Sequence, residues 1–421
     1  MALCLLLFSS LGLAQEPVAS DAPSISLLTL GPGHEIFERF SHNAIWVHNP
    51  AQPGEYRDVA FNYGLFSFGQ SFVTDFLPAF LRGDMKYQMA PMDGPASVDM
   101  YRKDDRDIFL QQLRLSPRQA QRLTSFLWNN YRPENRYYIY NYFVDNCSTR
   151  VRDALDATLD GQIKLQSAGI PTGQTYRMHT LRTLCSNIPA YIGVDFALGQ
   201  LADKPLSRWD EMFLPLKLQA YLRDITIPGP GGTSLPLVVS EQRLSTSSRQ
   251  GIPETAPHWE PGFLIAGGIM AGGLLFLDRF RHRRVARWLL WIGIVLWTLL
   301  GAIATAFLIL LECCTHHWAA YQNENILQMP PVVVLTFLLL LTPIGQRHAR
   351  LCRWKAIALF AFTVLTATCS IIGLMLKLAP AMYQENWNII LWVLPVHLAV
   401  AMIFYRRYRK LPQPGLQLEN V

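Results

Sequence analysis

The sequence predicts an α+β exported domain followed by an all-α transmembrane domain of five helices. The first observation is a change in composition near residue 259, from mixed sequence to long blocks of Leu, Ile, Val and Trp. The second is a set of short segments with strand-like alternation in the first half, interspersed with helical patterns. The third is an apolar run at the N-terminus. A chain of 421 residues with this pattern is expected to be a membrane protein with a large soluble part.

The predicted domains follow from these changes in composition. Residues 1–15 are apolar and small, as in a signal peptide, although the usual basic start is missing. A segment rich in Ser, Thr and Pro precedes the apolar half and is typical of a linker. We therefore expect a signal peptide at 1–15, an exported Cys/His catalytic domain at 16–243, a linker at 244–258, a transmembrane domain at 259–410 and a cytoplasmic tail at 411–421.

Local patterns within the exported domain predict an antiparallel sheet and several helices. Ser116 and Pro117 are an N-cap and a first-turn proline, so a helix is expected to begin there and to end near Tyr131. The Phe-rich segment 65–81 is either ordinary core or the apolar wall of an acyl-chain site. Strands are expected at Ser24–Leu30, Ala44–His48, Asp58–Tyr63 and Met85–Met92, with a hairpin turn at Pro228–Thr233.

The second half of the chain contains five apolar blocks. The first, third and fifth are followed by loops rich in Arg and Lys, whereas the two alternate loops contain only Lys377 between them. The positive-inside rule then places the C-terminus in the cytoplasm and the exported domain on the other side. The net charge of +6 thus reflects topology and indicates no nucleic-acid partner. The blocks are Gly262–Leu277, Trp288–Leu311, Pro331–Ile344, Ala356–Leu376 and Ile389–Phe404.

Cys147 lies where an extended segment, Tyr137–Phe143, is expected to turn into a helix. Residues that cap helix starts surround it, and Arg150 and Arg152 follow closely. The helix dipole and these cations are expected to favour the thiolate, which predicts a nucleophilic cysteine. The alternative is a structural cysteine, either buried or in a disulfide.

Only Cys147 and Cys185 belong to the mature exported domain. Because an oxidising compartment permits a disulfide between them, this pairing is the main structural alternative to a nucleophile. The Cys and His spacings match no zinc site, and no metal or other cofactor is expected.

A nucleophilic thiol needs a base and a group that orients the base. His42 at the start of one strand and Asn62 on the next are the candidates, and His34 is a rival base. The absence of a Gly-x-Ser-x-Gly motif from the sequence disfavours a serine hydrolase. The order of a histidine strand before a cysteine helix resembles a circularly permuted NlpC/papain-like fold.

Two outer loops share a pattern in which Tyr-Gln and amide or acidic residues precede an apolar block with proline. Asn325 and Asn388 belong to these loops. They are either polar helix caps at the membrane surface or part of a head-group site beneath the exported domain.

Several short motifs, taken in order, resemble the Lnb-type family of lipoprotein N-acyltransferases. That family joins an exported cysteine-hydrolase-like domain to a five-helix membrane domain, and the resemblance covers nearly the whole chain. His34 stands where an acidic residue is expected. The motifs are Gly31-Pro32-Gly33-His34-Glu35, Arg39-Phe40-Ser41-His42-Asn43-Ala44, Phe61-Asn62-Tyr63-Gly64, Leu81-Arg82-Gly83-Asp84, Asn146-Cys147-Ser148-Thr149-Arg150 and Phe213-Leu214-Pro215.

The resemblance implies a protein of the bacterial inner membrane with its exported domain in the periplasm. An acyl chain would pass from a phospholipid to Cys147 as a thioester, and then to the α-amine of a diacylated lipoprotein. His42 would move the proton and Asn62 would orient His42. Substrate contacts are expected from Tyr63, Arg150, Asn325 and Asn388.

Two other functions remain open at this level. A thiol amidase or hydrolase acting on cell-wall peptides or lipids would use the same Cys and His groups but has no evident need for five membrane helices. A non-enzymatic membrane assembly or sensor protein would use the exported domain for binding. A disulfide at Cys147 would favour the non-enzymatic protein, and a free thiol would favour the two enzymes.

Overall fold

The computed structural model describes residues 22–66, 74–75, 77–342, 349–379 and 382–411. The predicted signal peptide and all but the first residue of the predicted cytoplasmic tail lie outside these residues. Two parts are present: an α+β domain that contains a sheet, and a helical C-terminal region. The predicted order, an α+β domain followed by an all-α region, is therefore confirmed, with four candidate membrane spans among the described residues.

A seven-stranded sheet forms the centre of the α+β domain, in the order β6-β4-β3-β2-β1-β5-β9. Each neighbouring pair in this order is antiparallel, as the alternation of the sequence predicted. A separate hairpin, β7 with β8, encloses the predicted turn. The strands are β1 Ser24–Leu30, β2 His42–His48, β3 Asp58–Leu65, β4 Lys86–Asp93, β5 Ile108–Leu113, β6 Tyr137–Ile139, β7 Thr226–Pro228, β8 Ser234–Pro236 and β9 Val238–Ser245.

Helices cover both faces of the sheet. Phe61 and Leu155, each 0% exposed, belong to the larger core, which the sheet forms with α3, α4 and α9. Ala60 and Val98 belong to a smaller core on the face covered by α2. Alternation along β3 sends Phe61 and Ala60 to these opposite faces. The helices are α1 Leu77–Arg82, α2 Gly94–Lys103, α3 Pro117–Asn130, α4 Cys147–Thr158, α5 Gln162–Ser167, α6 Tyr176–Leu184, α7 Ile188–Ala197, α8 Arg208–Glu211 and α9 Pro215–Leu222.

Two segments differ from their predicted form. The extended segment before Cys147 is a strand only through Ile139, because the Asn141 side chain accepts hydrogen bonds from the Phe143 and Val144 backbone N–H groups and turns the chain. Strand β9 runs to Ser245, into the stretch predicted as linker. It adds an edge strand to the sheet, a pairing between distant segments that local composition does not reveal.

The C-terminal region contains four helices that are long and apolar enough to cross a membrane, among the described residues. They correspond to the first, second, fourth and fifth predicted blocks. The third block falls within a shorter apolar helical stretch, Asn325–Leu341, and its end at Ile344 lies outside the described residues. The helices are α10 Glu260–Arg279, α11 Arg284–Cys314, α12 Asn325–Gln328, α13 Val332–Leu341, α14 Ala349–Met375 and α15 Trp387–Tyr408.

The two parts meet through α7 and the segment that follows it. The backbone N–H of Gly199 donates to the carbonyl of Ala319 in the loop between α11 and α12, at 2.8 Å. A Cβ atom at Gly199 would lie 2.0 Å from the carbonyl oxygen of Tyr321. This contact requires glycine, because a larger residue would force the exported domain away from the loop.

A fully buried arginine organises the exported side of this joint. The Arg177 guanidinium donates to the carboxylates of Asp195 and Asp203 at 3.0 and 2.7 Å, and to the backbone carbonyl of Leu198 at 2.8 Å. The other carboxylate oxygen of Asp195 accepts a hydrogen bond from Asn388 of α15 at 3.0 Å. The ion pairs join α6 to α7, and the hydrogen bond from Asn388 connects this network directly to α15.

Candidate active site

The helix that begins at Cys147 is capped by its own sequence. The Asn146 side-chain oxygen accepts hydrogen bonds from the backbone N–H groups of Ser148 and Thr149, both at 2.9 Å. The Thr149 hydroxyl in turn accepts from the Asn146 backbone N–H at 2.8 Å, which completes a capping box. Cys147 thus occupies the first position of α4, as the sequence predicted.

Contacts between the start of α4 and the start of β2 bring Cys147 beside the histidine strand. The Ser148 hydroxyl donates to the side-chain oxygen of Asn43 at 2.9 Å, within the buried core. Burial raises the pKa of the Cys147 thiol, and the backbone N–H of Asn43 acts on the thiol to lower it. His42 is the residue before Asn43, so the predicted nucleophile meets the strand next to the predicted base.

Gly64 makes room for Cys147 on the other neighbouring strand. It has a φ of +88° beside a bulge in β3, a conformation that glycine adopts without strain. A Cβ atom here would lie 3.3 Å from Cβ of Cys147 and 3.5 Å from the ring of Tyr140. Any side chain at this position would press against both groups.

His42 and Asn62 form the predicted pair. Asn62 lies opposite Ala44 in the sheet, two residues from His42, so both side chains project from the same face. The His42 Nε2 atom and the Asn62 Oδ1 atom are 3.0 Å apart. Since the Asn62 oxygen is an acceptor, Nε2 carries the proton and Nδ1 remains as the basic nitrogen. His34, the rival base, is an exposed residue that contacts its neighbour Glu35.

The protonation of this site differs from the prediction. Burial raises the pKa of the Cys147 thiol to about 11, although backbone N–H groups of Asn43 and Ser148 oppose the increase. Burial also lowers the pKa of His42 to about 4, against the effect of its hydrogen bond to Asn62. The resting pair at neutral pH is therefore a neutral thiol and a neutral imidazole. The expectation that the thiolate is favoured was wrong.

The arginines expected to stabilise a thiolate are engaged elsewhere. Arg150 makes a two-point ion pair with Asp145, with distances of 2.5 and 2.7 Å. Arg152 stacks on the Trp209 ring at 3.8 Å and donates to the Trp209 carbonyl. Burial of the sulfur consequently outweighs the helix dipole, which is worth only about 1 kcal/mol in ordinary settings.

Tyr140 is a member of the site that the sequence did not single out. Its ring and Cys147 both lie against Gly64, and its hydroxyl opposes the rise in the pKa of the Cys147 thiol that burial causes. Its ring stacks on Tyr87 at 4.1 Å between centroids, and its backbone N–H donates to the Met85 carbonyl at 2.9 Å. The aromatic run before Cys147 was the available signal, but period and composition do not say which ring faces the sulfur.

The raised thiol pKa predicts a distinctive reactivity towards iodoacetamide. Because only the thiolate reacts, and its fraction grows with pH below a pKa of about 11, the alkylation rate of Cys147 should rise about tenfold per pH unit from about pH 7 to about pH 9. The rate can be followed by mass spectrometry of the peptide that contains Cys147. A rate that levels off below about pH 8 would contradict the raised pKa.

Two observations bear on the disulfide and on metal binding. Cys147 and Cys185 are both free thiols, so the predicted structural alternative of a disulfide between them is not formed. Among the described residues, no group of three or more His, Cys, Asp or Glu side chains is placed to hold a metal ion.

The predicted substrate residues divide between two places. Tyr63 and Arg150 line a cleft beside α4, close to Cys147. Asn325 and Asn388, by contrast, are buried in the joint between the two parts of the chain. Asn325 donates to the Phe196 carbonyl of α7 at 2.9 Å, and Asn388 donates to Asp195. We therefore assign these two amides to the joint.

The comparisons with known proteins agree with the resemblance drawn from the sequence motifs. Residues 13–187 match the family model described as the Lnb N-terminal periplasmic domain. This range contains His42, Asn62, Tyr140 and Cys147. Searches of the curated proteins and of the solved structures find no match.

Proposed function

We propose, from the match of residues 13–187 to the Lnb N-terminal periplasmic domain, that the protein is a cysteine-dependent acyltransferase. It moves an acyl chain from a phospholipid to the N-terminal amine of a diacylated lipoprotein. The periplasmic domain and the four apolar helices fit a protein of the inner membrane. The cytoplasmic position of the C-terminus remains a prediction of the loop charges.

In the first half-reaction, the Cys147 sulfur attacks the ester carbonyl carbon of the phospholipid. A carbon–sulfur bond forms and the ester carbon–oxygen bond breaks. Nδ1 of His42 accepts the thiol proton and returns it to the departing alkoxide, so that lysophospholipid leaves. Asn62 keeps the imidazole in the required tautomer through its hydrogen bond to Nε2.

Groups around the sulfur in the resting site can stabilise the negative charge that develops on the ester carbonyl oxygen during the attack. Burial raises the pKa of the Cys147 thiol, whereas the backbone N–H groups of Asn43 and Ser148 and the hydroxyl of Tyr140 lower it and so favour negative charge at this position. The same donors would stabilise the carbonyl oxygen of an attached acyl group as it gains negative charge. Fixed donors of this kind lower the barrier most when water is excluded, and Cys147 is only 8% exposed.

In the second half-reaction, the α-amine of the lipoprotein attacks the thioester carbon. A carbon–nitrogen bond forms and the carbon–sulfur bond breaks. The amine proton passes to His42 and then to the sulfur, which restores the neutral pair. No oxidant, reductant or cofactor is needed in either half-reaction.

The observation that carries this proposal concerns two segments that flank the site, namely the turn before Cys147 and helix α1. Both contact the outer loop, which is the loop between α11 and α12. On one flank, Phe143 in the turn before Cys147 packs on Trp318 with ring centroids 6.0 Å apart. On the other, the ring of His317 donates to the Phe80 carbonyl of α1 at 2.8 Å. The thiol is thus held near the membrane surface, where a phospholipid ester is available.

A row of aromatic side chains is further evidence that the substrate carries an acyl chain. Phe37, which is 58% exposed, contacts Phe66, which contacts Tyr87, with ring centroids 5.8 and 5.0 Å apart. Tyr87 stacks on Tyr140, whose hydroxyl reaches the thiol. This apolar row leads from the surface to Cys147 and offers a wall for a fatty-acyl chain. A site for charged cell-wall peptides would not require it.

The proposal is tested with a reporter lipoprotein in a bacterial host that lacks its own lipoprotein N-acyltransferase. We expect intact mass spectrometry of the N-terminal lipopeptide to show the gain of one acyl chain when this protein is produced. The control is the same host with the empty vector. An unchanged mass in cells whose membranes contain the protein would contradict the proposal, and peptidoglycan fragments would become the next substrate to test.

A further inference from the structure

A cleft of about 600 Å³ lies on the exported domain between α3 and α4. One wall is formed by Arg122 and Phe126 of α3, and the other by Ala157 and Thr158 of α4. Phe126 is 45% exposed, so the cleft offers apolar surface to a ligand as well as polar groups. None of these residues takes part in the chemistry described above.

The inner end of the cleft is adjacent to the catalytic groups. Tyr63 lines this end, and the next residue in β3 is Gly64, which packs on Cys147. Arg150 also lines it and stands one helical turn after Cys147. A ligand that lies along the cleft therefore has one end beside the thioester carbon.

The length of the cleft suits a short stretch of polypeptide. Between Arg150 and Thr158, α4 advances about 12 Å at 1.5 Å per residue. An extended peptide covers that distance with about three to four residues. The ester-linked head of a phospholipid would fill only the end nearest Cys147.

The charges of the cleft also favour a peptide over a phosphate group. Its charged lining residues are two arginines and two aspartates, namely Arg122, Arg150, Asp145 and Asp153. Arg150 is already neutralised by Asp145, and Arg122 donates to Asp160 and to carbonyls at the end of α4. A phosphate head group would instead be expected to find arginines with free donors.

From these observations we propose that the cleft between α3 and α4 binds the N-terminal polypeptide of the acceptor lipoprotein. The first three to four residues after the lipid-modified cysteine lie along α4, and the α-amine reaches the thioester at the Tyr63 end. The phospholipid arrives between the two flanks that rest on the outer loop. This inference rests on the proposed acyl transfer.

The test separates the two half-reactions in the full-length protein, reconstituted in phospholipid nanodiscs. Release of lysophospholipid in a single turnover measures thioester formation, and consumption of a synthetic diacylated lipopeptide measures transfer. We expect Ala157→Trp, which fills the cleft from an exposed position, to raise the KM for the lipopeptide at least about tenfold. Thioester formation should stay at the wild-type rate. Phe126→Ala, which removes an apolar wall of the cleft, should also raise the KM for the lipopeptide.

Two controls make the result specific. Gln121→Trp places the same large side chain at an exposed position of α3 outside the cleft and should change neither step. Hydroxylamine, a nucleophile too small to need the cleft, should resolve the thioester of Ala157→Trp at the wild-type rate.

The outcomes are distinct. If transfer to the lipopeptide is lost while thioester formation is unchanged, the acceptor site is supported. Slower thioester formation in Ala157→Trp would overturn it and assign the cleft to the phospholipid head group, and unchanged kinetics in both cleft variants would also overturn it. A wild-type protein that forms no thioester would instead refute the acyltransferase function itself, and the acceptor site with it.

Discussion

Cells that produce the Cys147→Ala variant are expected to yield no N-acylated reporter lipoprotein, with a loss of activity of at least about 10⁴-fold. Alanine removes the sulfur that carries the acyl group, so the thioester cannot form at this position. The variant should nevertheless insert into the membrane, because the four candidate spans begin at Glu260, far from the site. Intact mass spectrometry of the lipopeptide and immunoblotting of membranes measure the two properties.

The His42→Ala variant is expected to lose activity to a similar degree, because a thiol with a pKa of about 11 is scarcely ionised at neutral pH without a base. Asn62→Ala should cause a smaller loss, since it removes only the group that orients the imidazole. Such unequal losses distinguish a chemical role from a packing role.

The matched control for both variants is Cys185→Ala. Cys185 is also a free thiol of the exported domain, at the end of α6. It has no place in the proposed chemistry, so this variant should retain wild-type activity. Equal loss of activity in Cys147→Ala, His42→Ala and Cys185→Ala would point to a structural role and would revive the non-enzymatic hypothesis.

The Arg177→Ala variant is expected to lose about 3–5 kcal/mol of stability, the usual cost of removing one partner of a buried ion pair. Arg177 is 0% exposed and pairs with both Asp195 and Asp203. Without it, two buried carboxylates would face each other with no cation between them. Asn388 would also lose a well-placed partner, because it binds the carboxylate that Arg177 positions. A thermal unfolding scan of the purified protein in detergent measures the effect.

A surface ion pair provides the comparison for this variant. Arg102 and Asp99 pair at 2.6 Å, but their side chains are 50% and 65% exposed. Arg102→Ala should therefore change stability by less than about 1 kcal/mol. If the two variants unfold at the same temperature, the buried network does not stabilise the joint between the two parts of the chain.

Much of the fold follows from patterns that are local in the sequence. The expected bounds of β1 coincide with the observed strand, and α3 begins at the expected proline and ends within one residue of Tyr131. The third apolar block overlaps α13, and its last residues lie outside the described part of the chain. Strand β9 was missed because its partner, β5, lies more than 120 residues earlier in the chain.

The candidate site also separates features that depend on nearby residues from features that depend on distant ones. Asn146 and Cys147 were located correctly because a helix cap depends on residues within one turn. The direction of the thiol pKa was wrong because it depends on burial by β2 and β3 and on the partners of Arg150 and Arg152. The bond between Ser148 and Asn43, which brings the site together, spans 105 residues.

By itself, the sequence determined several strands and helices, the apolar half of the chain and the capped helix that begins at Cys147, and it predicted His42 and Asn62 as partners of the cysteine. Only the tertiary structure decided the neutral state of the thiol, the contact of Tyr140 with the sulfur, the burial of Asn325 and Asn388 in the joint, and the placement of the site on the outer loop. The physical reason is one of range. Periodicity and capping act between near neighbours in the chain, whereas desolvation and charge pairing depend on every group that folding brings close.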